Sequence, residues 1–186
     1  MLTLVNSQGQ LADKRGDTPQ PNSWTGVASM PTNLMRSFGA YFPANGFFYA
    51  MGGRTSDTAG SDAVHPLEYD ATANTWKVKG ASYPDNQMNN MACGVLTVSG
   101  TPQIYCVGGS AAGATTSAAR MFSYDPVTDT MTSLPSDNWP GNAAGTILPG
   151  GAVVAGNKLY IIGGFNISVA MTQQTWQFDP NAPAGS

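Results

Sequence analysis

The chain alternates short apolar runs with tight polar turns and nowhere sustains a helical stripe. Three pairs of runs stand out: "AYF" and "FFYAM" around "PANG", "GVLTV" and "QIYCV" around "SGTP", and "GAVVA" and "KLYII" around "GN". Glycine, proline or asparagine interrupts them every five or six residues, which excludes helices and predicts hairpins. Their near-continuous hydrophobicity, with no polar alternate face, predicts strands buried on both sides. A glycine pair and a polar loop follow each hairpin, and then a strand with period-two alternation: Leu67/Tyr69, Phe122/Tyr124 and Trp176/Phe178. An aspartate ends each of these strands. Asp70, Asp125 and Asp179 are read as turn caps that accept backbone N–H groups two residues on, with Pro126 and Pro180 presetting the next φ. The return strands begin near Trp76 and Met131.

These landmarks keep step. The doublets Gly52-Gly53, Gly108-Gly109 and Gly163-Gly164 are spaced by 56 (108 − 52) and 55 (163 − 108) residues, and the aspartates by 55 (125 − 70) and 54 (179 − 125). Two markers in phase over three copies signal a repeat architecture, and roughly 50 residues is the period of a four-stranded propeller blade. The doublets, the Tyr49, Tyr105 and Tyr160 that precede them, and the Asp-anchored turn ending in Trp76 resemble the kelch-repeat family of β-propellers over residues 23–180, departing where Met131 replaces the usual tryptophan. The resemblance implies an all-β fold of kelch-type β-propeller blades, about three four-stranded antiparallel blades forming a partial ring or half of a six-bladed propeller. The blade units fall at 34–80, 89–135 and 146–180, beyond a flexible N-terminal segment at 1–22.

The phase at the two ends adds a prediction. The last unit stops after its third strand, whereas "NSWTGVASMP" reads as an orphan outer strand over 24–30, with Trp24 at the place of Trp76. Kelch rings close by letting a strand from one terminus complete the blade at the other. Three blades are too few for a ring, because propellers have about four to eight. Either C-terminal blades are missing and the chain is the first half of a longer propeller, or two copies form a dimer completing a six-bladed ring. Exposed blade faces and unpaired edges predict self-association in both cases.

Composition narrows the setting. The 186 residues are 41% hydrophobic, enough for one domain with a real core. Only 10% are charged, against roughly 25% in ordinary globular proteins, which favours a secreted, extracellular or periplasmic protein. Net charge is -3 with no basic cluster, so nucleic acid is not an expected partner. No apolar run approaches the roughly 20 residues that span a bilayer, so no membrane partner is expected.

Cys93 and Cys106 lie on opposite strands of the second hairpin and are either a disulfide or two buried thiols. The lone His65 excludes sites built from several imidazoles and is read as a structural loop residue. Asp57 and Asp62 lack calcium-loop spacing, and neither a metal nor a cofactor is expected. The kelch resemblance directs the segment before each first strand and the loop after each glycine pair towards one face and the channel. By position these are Arg36, Asn89 and Asn90, with Arg54, Asp57, Arg120 and Asn166, and Trp139 is read as an exposed aromatic beside them. Arginines, planar amides and an aromatic suit a carbohydrate or protein ligand. Asn166-Ile167-Ser168 also fits a glycosylation acceptor. The expected function is a non-catalytic binding or scaffold module. The alternatives are part of a kelch-fold enzyme, galactose-oxidase-like or a sugar epimerase, with its site in a missing half, or a self-assembling structural repeat.

Overall fold

The computed structural model describes residues 24–166 and 170–185; the predicted segment at 1–22 and the Ile167-Ser168 part of the acceptor motif lie outside them. Three antiparallel sheets follow one another along the chain. The first comprises β1 (Phe38–Phe42), β2 (Phe47–Met51), β3 (Leu67–Asp70) and β4 (Thr75–Val78) in that order. The second repeats the order with β5 (Ala92–Val98), β6 (Thr101–Val107), β7 (Met121–Asp125) and β8 (Thr130–Ser133). The third has β9 (Ile147–Ala155), β10 (Lys158–Asn166) and β11 (Met171–Phe178). Innermost strands pack side by side, β1 beside β5 and β5 beside β9, as blades do about a common axis.

Alternation within each strand builds two cores. Cys93, Ile104, Cys106, Phe122 and Tyr124 of the second sheet pack on Phe42, Tyr49 and Met51 of the first. Ala92, Leu96, Tyr105, Val107 and Met121 pack on Leu159 and Ile161 of the third. The middle sheet is therefore apolar on both faces because a sheet lies against each. Cys93 and Cys106 are register partners joined by a disulfide, with Cα atoms 4.1 Å apart.

Three expectations need correction. Burial of both faces fails for the outer sheets: Tyr41, Phe48, Val153 and Ile162 are largely exposed, since no sheet among the described residues covers them. Gly163-Gly164 does not end its strand; β10 runs through it with a register irregularity and continues pairing at Phe165↔Leu148. The corresponding pairs in the other sheets, Met35↔Arg54 and Asn89↔Ser110, are isolated bridges with at least one polar member each, whereas Leu148 and Phe165 are both apolar and the ladder runs on through them. Finally, residues 24–30 form no strand, since among the described residues no strand pairs with them. They are held instead by side chains: Ala28 N donates to Asn74 Oδ1 (2.7 Å) and Trp76 Nε1 donates to Ala28 O (2.9 Å).

Candidate functional site

In the first two sheets the glycine pair turns the chain sharply out of the inner strand. Gly52 and Gly53 have φ of 66° and 94°, and Gly108 and Gly109 have 76° and 103°, a region that glycine enters freely. The turn brings the loop after the doublet against the segment preceding the next inner strand. Gly53 N donates to Met88 O (2.8 Å), and Ser117 N to Gly145 O (2.8 Å). Arg36 and Asn90, one repeat apart, both have left-handed backbones, with φ of 60° and 57°, and Asn90 N donates to Arg36 O (3.1 Å).

A polar cluster forms at this junction of the first and second sheets. Asp62 Oδ1 accepts from Asn89 Nδ2 (2.7 Å) and from Ala112 N (2.8 Å), and Asn89 Nδ2 also donates to Ser110 O (2.7 Å). Arg54 is 5% exposed and pairs with Asp57, whose carboxylate stands out in solvent. Arg54 Nε, Asp62 Oδ2, Asn89 Oδ1 and Asn90 Nδ2 are buried without a hydrogen-bond partner. Leaving a buried polar group unpaired costs about 1–3 kcal/mol, so two donors and two acceptors in one place mark an unusual concentration of unused bonding capacity. Among the described residues no group of three or more His, Cys, Asp or Glu side chains is placed to hold a metal ion.

The remaining sequence candidates have other work. Arg120 is a rivet between loop and connector: Nε and Nη2 donate to the Asp85 carboxylate (2.8 and 2.9 Å), Nη1 to Gly108 O (2.6 Å) and Nη2 to Gln87 O (2.8 Å), and the guanidinium lies 5.1 Å from the Phe122 ring centroid. Burial raises the Asp85 pKa, but the Arg120 hydrogen bonds and charge outweigh it and hold this carboxyl below the usual range. Trp139, expected to be exposed, is 5% exposed and belongs to the core between the second and third sheets, where its indole fills space beside Gly141. Asn166 Oδ1 accepts from Ala170 N (2.6 Å), and Arg36 is exposed. His65 Nδ1 donates to Ala81 O (3.0 Å). Asp70, Asp125 and Asp179 each accept from the N–H two residues on, at 2.8, 2.8 and 3.0 Å.

Ser110 and Asp62 complete the cluster yet were not among the sequence candidates. The signal was present, because Ser110 occupies the repeat position of Arg54 and pairs with Asn89 as Arg54 pairs with Met35.

No protein-family model and no curated protein matches the chain. Among solved structures it is similar to that of YjhT, a kelch-type β-propeller protein, at 17% identity and a TM-score of 0.68. The match covers 89% of this chain and 54% of YjhT, so the chain spans about half the length of that protein. The fold is all-β, built of propeller blades.

Proposed function

We propose that this chain is a kelch-type, non-catalytic binding or scaffold module, exported from the cell, that recognises a ligand through the loops joining its first two blades. One observation carries the reading: four unpartnered buried polar atoms gather on Arg54, Asp62, Asn89 and Asn90 at the blade junction. Two of these atoms are donors and two are acceptors. A hydroxyl both donates and accepts, so a polyhydroxylated ligand, a carbohydrate, suits the set better than a purely anionic one. Engagement requires the 54–62 loop to shift; residues 57–60 at its tip are exposed, and the Arg54–Asp57 ion pair and the Thr58–Ser61 turn are the contacts that would have to give. The cystine and the sparse surface charge support an extracellular setting.

Probing arrayed glycans with the intact chain tests this reading. Binding to a defined subset is expected, and Arg54→Lys, which keeps the charge but removes Nε as a donor, should weaken it about tenfold, the worth of one well-made hydrogen bond. Asp57→Ala, which breaks the ion pair tethering the loop to Arg54 while leaving Arg54 Nε in place, separates loop release from loss of that donor and should not weaken binding. Absence of binding to any glycan, or equal binding by Arg54→Lys, removes the proposal.

A further inference from the structure

The loop over the polar cluster is tied down by a pair of charges that the repeat does not need. Arg54 and Asp57 follow the first glycine doublet, and the matching positions after the second, 56 residues on, are Ser110 and Gly113. The second loop leaves its doublet through the same positive-φ turn with neither charge, so a blade forms without this ion pair. The two partners are also unequal. The Arg54 side chain is 7% exposed and that of Asp57 79% exposed. A buried guanidinium needs a counter-charge, whereas a carboxylate already in water gains little from a partner. The pair satisfies Arg54 and, in doing so, holds the loop down.

The tip of the loop is otherwise bonded to itself. Thr55 N donates to Ser61 O (2.9 Å), Ser61 N to Thr58 O (3.2 Å), Ser61 Oγ to Ser56 O (2.7 Å) and Thr58 N to Ser56 Oγ (3.2 Å). Across the junction it meets the second loop at Gly113, where a Cβ would stand 3.6 Å from Ala59 N and 3.7 Å from Asp57 O. Those are ordinary packing distances, and glycine leaves even that space empty. Among the described residues a single ion pair, Asp57 to Arg54, ties the tip to the buried floor beneath it.

Releasing Asp57 does not leave Arg54 without a counter-charge. Arg54 and Asp62 face each other in an isolated antiparallel bridge. The Asp62 carboxylate stays in the cluster, where Oδ1 accepts from Asn89 Nδ2 and Ala112 N at 2.7 and 2.8 Å. The loop thus has two arrangements, closed on Asp57 or open with Asp62 beside the cation. The closed one keeps Arg54 Nε, Asn89 Oδ1 and Asn90 Nδ2 out of solvent.

We propose that Asp57 is an autoinhibitory latch: in the free protein it occupies the Arg54 guanidinium and closes the 54–62 loop over the ligand site. The latch rests on the site assigned above to Arg54, Asp62, Asn89 and Asn90. A ligand binds only the open fraction, so its apparent affinity is reduced by that fraction, and removing the latch restores it. One largely exposed ion pair shifts such an equilibrium about fivefold.

Amide hydrogen exchange of the ligand-free chain reads the latch directly. In Asp57→Ala the Thr55, Thr58 and Ser61 amides, whose bonds close the tip, should exchange about fivefold faster. Gly53 and Ala63, bonded at the base of the loop, should keep the wild-type rate, and Asp57→Glu should restore protection. On the glycan array, a glycan bound by wild type should bind Asp57→Ala about fivefold tighter. Unchanged exchange at Thr58 and Ser61, or equal or weaker glycan binding by Asp57→Ala, overturns the latch, and the site itself stands if Arg54→Lys still weakens binding. Faster exchange with no glycan bound by either protein overturns the site and the latch with it.

Discussion

Arg120→Ala removes the side chain that joins the loop after the second doublet to the connector between the first two sheets. Four hydrogen bonds are lost, two of them to Asp85, along with a cation–π contact to Phe122. A net hydrogen bond to a charged group is worth about 1.5–3 kcal/mol, and breaking a fully buried ion pair costs about 3–5. The Asp85 side chain is 32% exposed, so water recovers part of its solvation and the lower part of that range applies. The bonds also fall together and do not add, which leaves about 2–4 kcal/mol. At about 2–4 °C per kcal/mol for a chain of this length, the melting temperature should drop by about 4–16 °C. The sign with pH follows from the depressed Asp85 pKa. Its contribution is present above the unfolded-state value and is lost as pH falls through the folded value, so the Asp85-dependent part of the penalty should fade below about pH 4. Urea unfolding of wild type, Arg120→Ala, Asp85→Asn and the double variant, at neutral and acid pH, isolates that coupling. A penalty under about 0.5 kcal/mol at neutral pH, typical of an ordinary surface substitution, or a coupling independent of pH, refutes the reasoning.

Two further outcomes follow from the inner hairpins. In Gly53→Ala a Cβ would stand 2.7 Å from Met35 O at a φ of 94°, so strain and crowding together should cost about 2–4 kcal/mol, measured by chemical denaturation. Cys93→Ser with Cys106→Ser opens a crosslink of sequence separation 13 and should lower unfolding free energy by about 3 kcal/mol, with an unaltered far-UV spectrum.

The hairpins, doublets and aspartate turns were legible because each depends on residues a few positions apart and recurs with the period. The opposition of Cys93 and Cys106 was legible for the same reason, since a short turn fixes register. The role of Arg120 was not, as its partner Asp85 lies in an unrepeated connector 35 residues away. Trp139 likewise sits outside any alternating stretch, so nothing local signals which way its ring turns. At the polar cluster the sequence pointed to Arg54, Asn89 and Asn90 by loop position. The part played by Ser110 emerges only when equivalent positions of successive blades are set side by side. The same comparison distinguishes the third sheet, where Leu148 and Phe165 stand at the positions of Met35 and Arg54.

The connector at residues 79–85 is bonded along most of its length. Gly80 and Ala81 N–H groups meet Asp129, the Ala81 carbonyl takes His65, Tyr83 N donates to Val64 O, Gly52 N donates to the Tyr83 hydroxyl at 2.6 Å, and Asp85 holds Arg120. Burial pushes the Tyr83 phenol well above its usual range, keeping it neutral as an acceptor for Gly52. This strap has no slack. A displacement of the first doublet, where the 54–62 loop begins, pulls on the outer turn of the next blade through contacts made by a single short segment, so the stiffness of the loop face is set partly at the rim of the neighbouring blade.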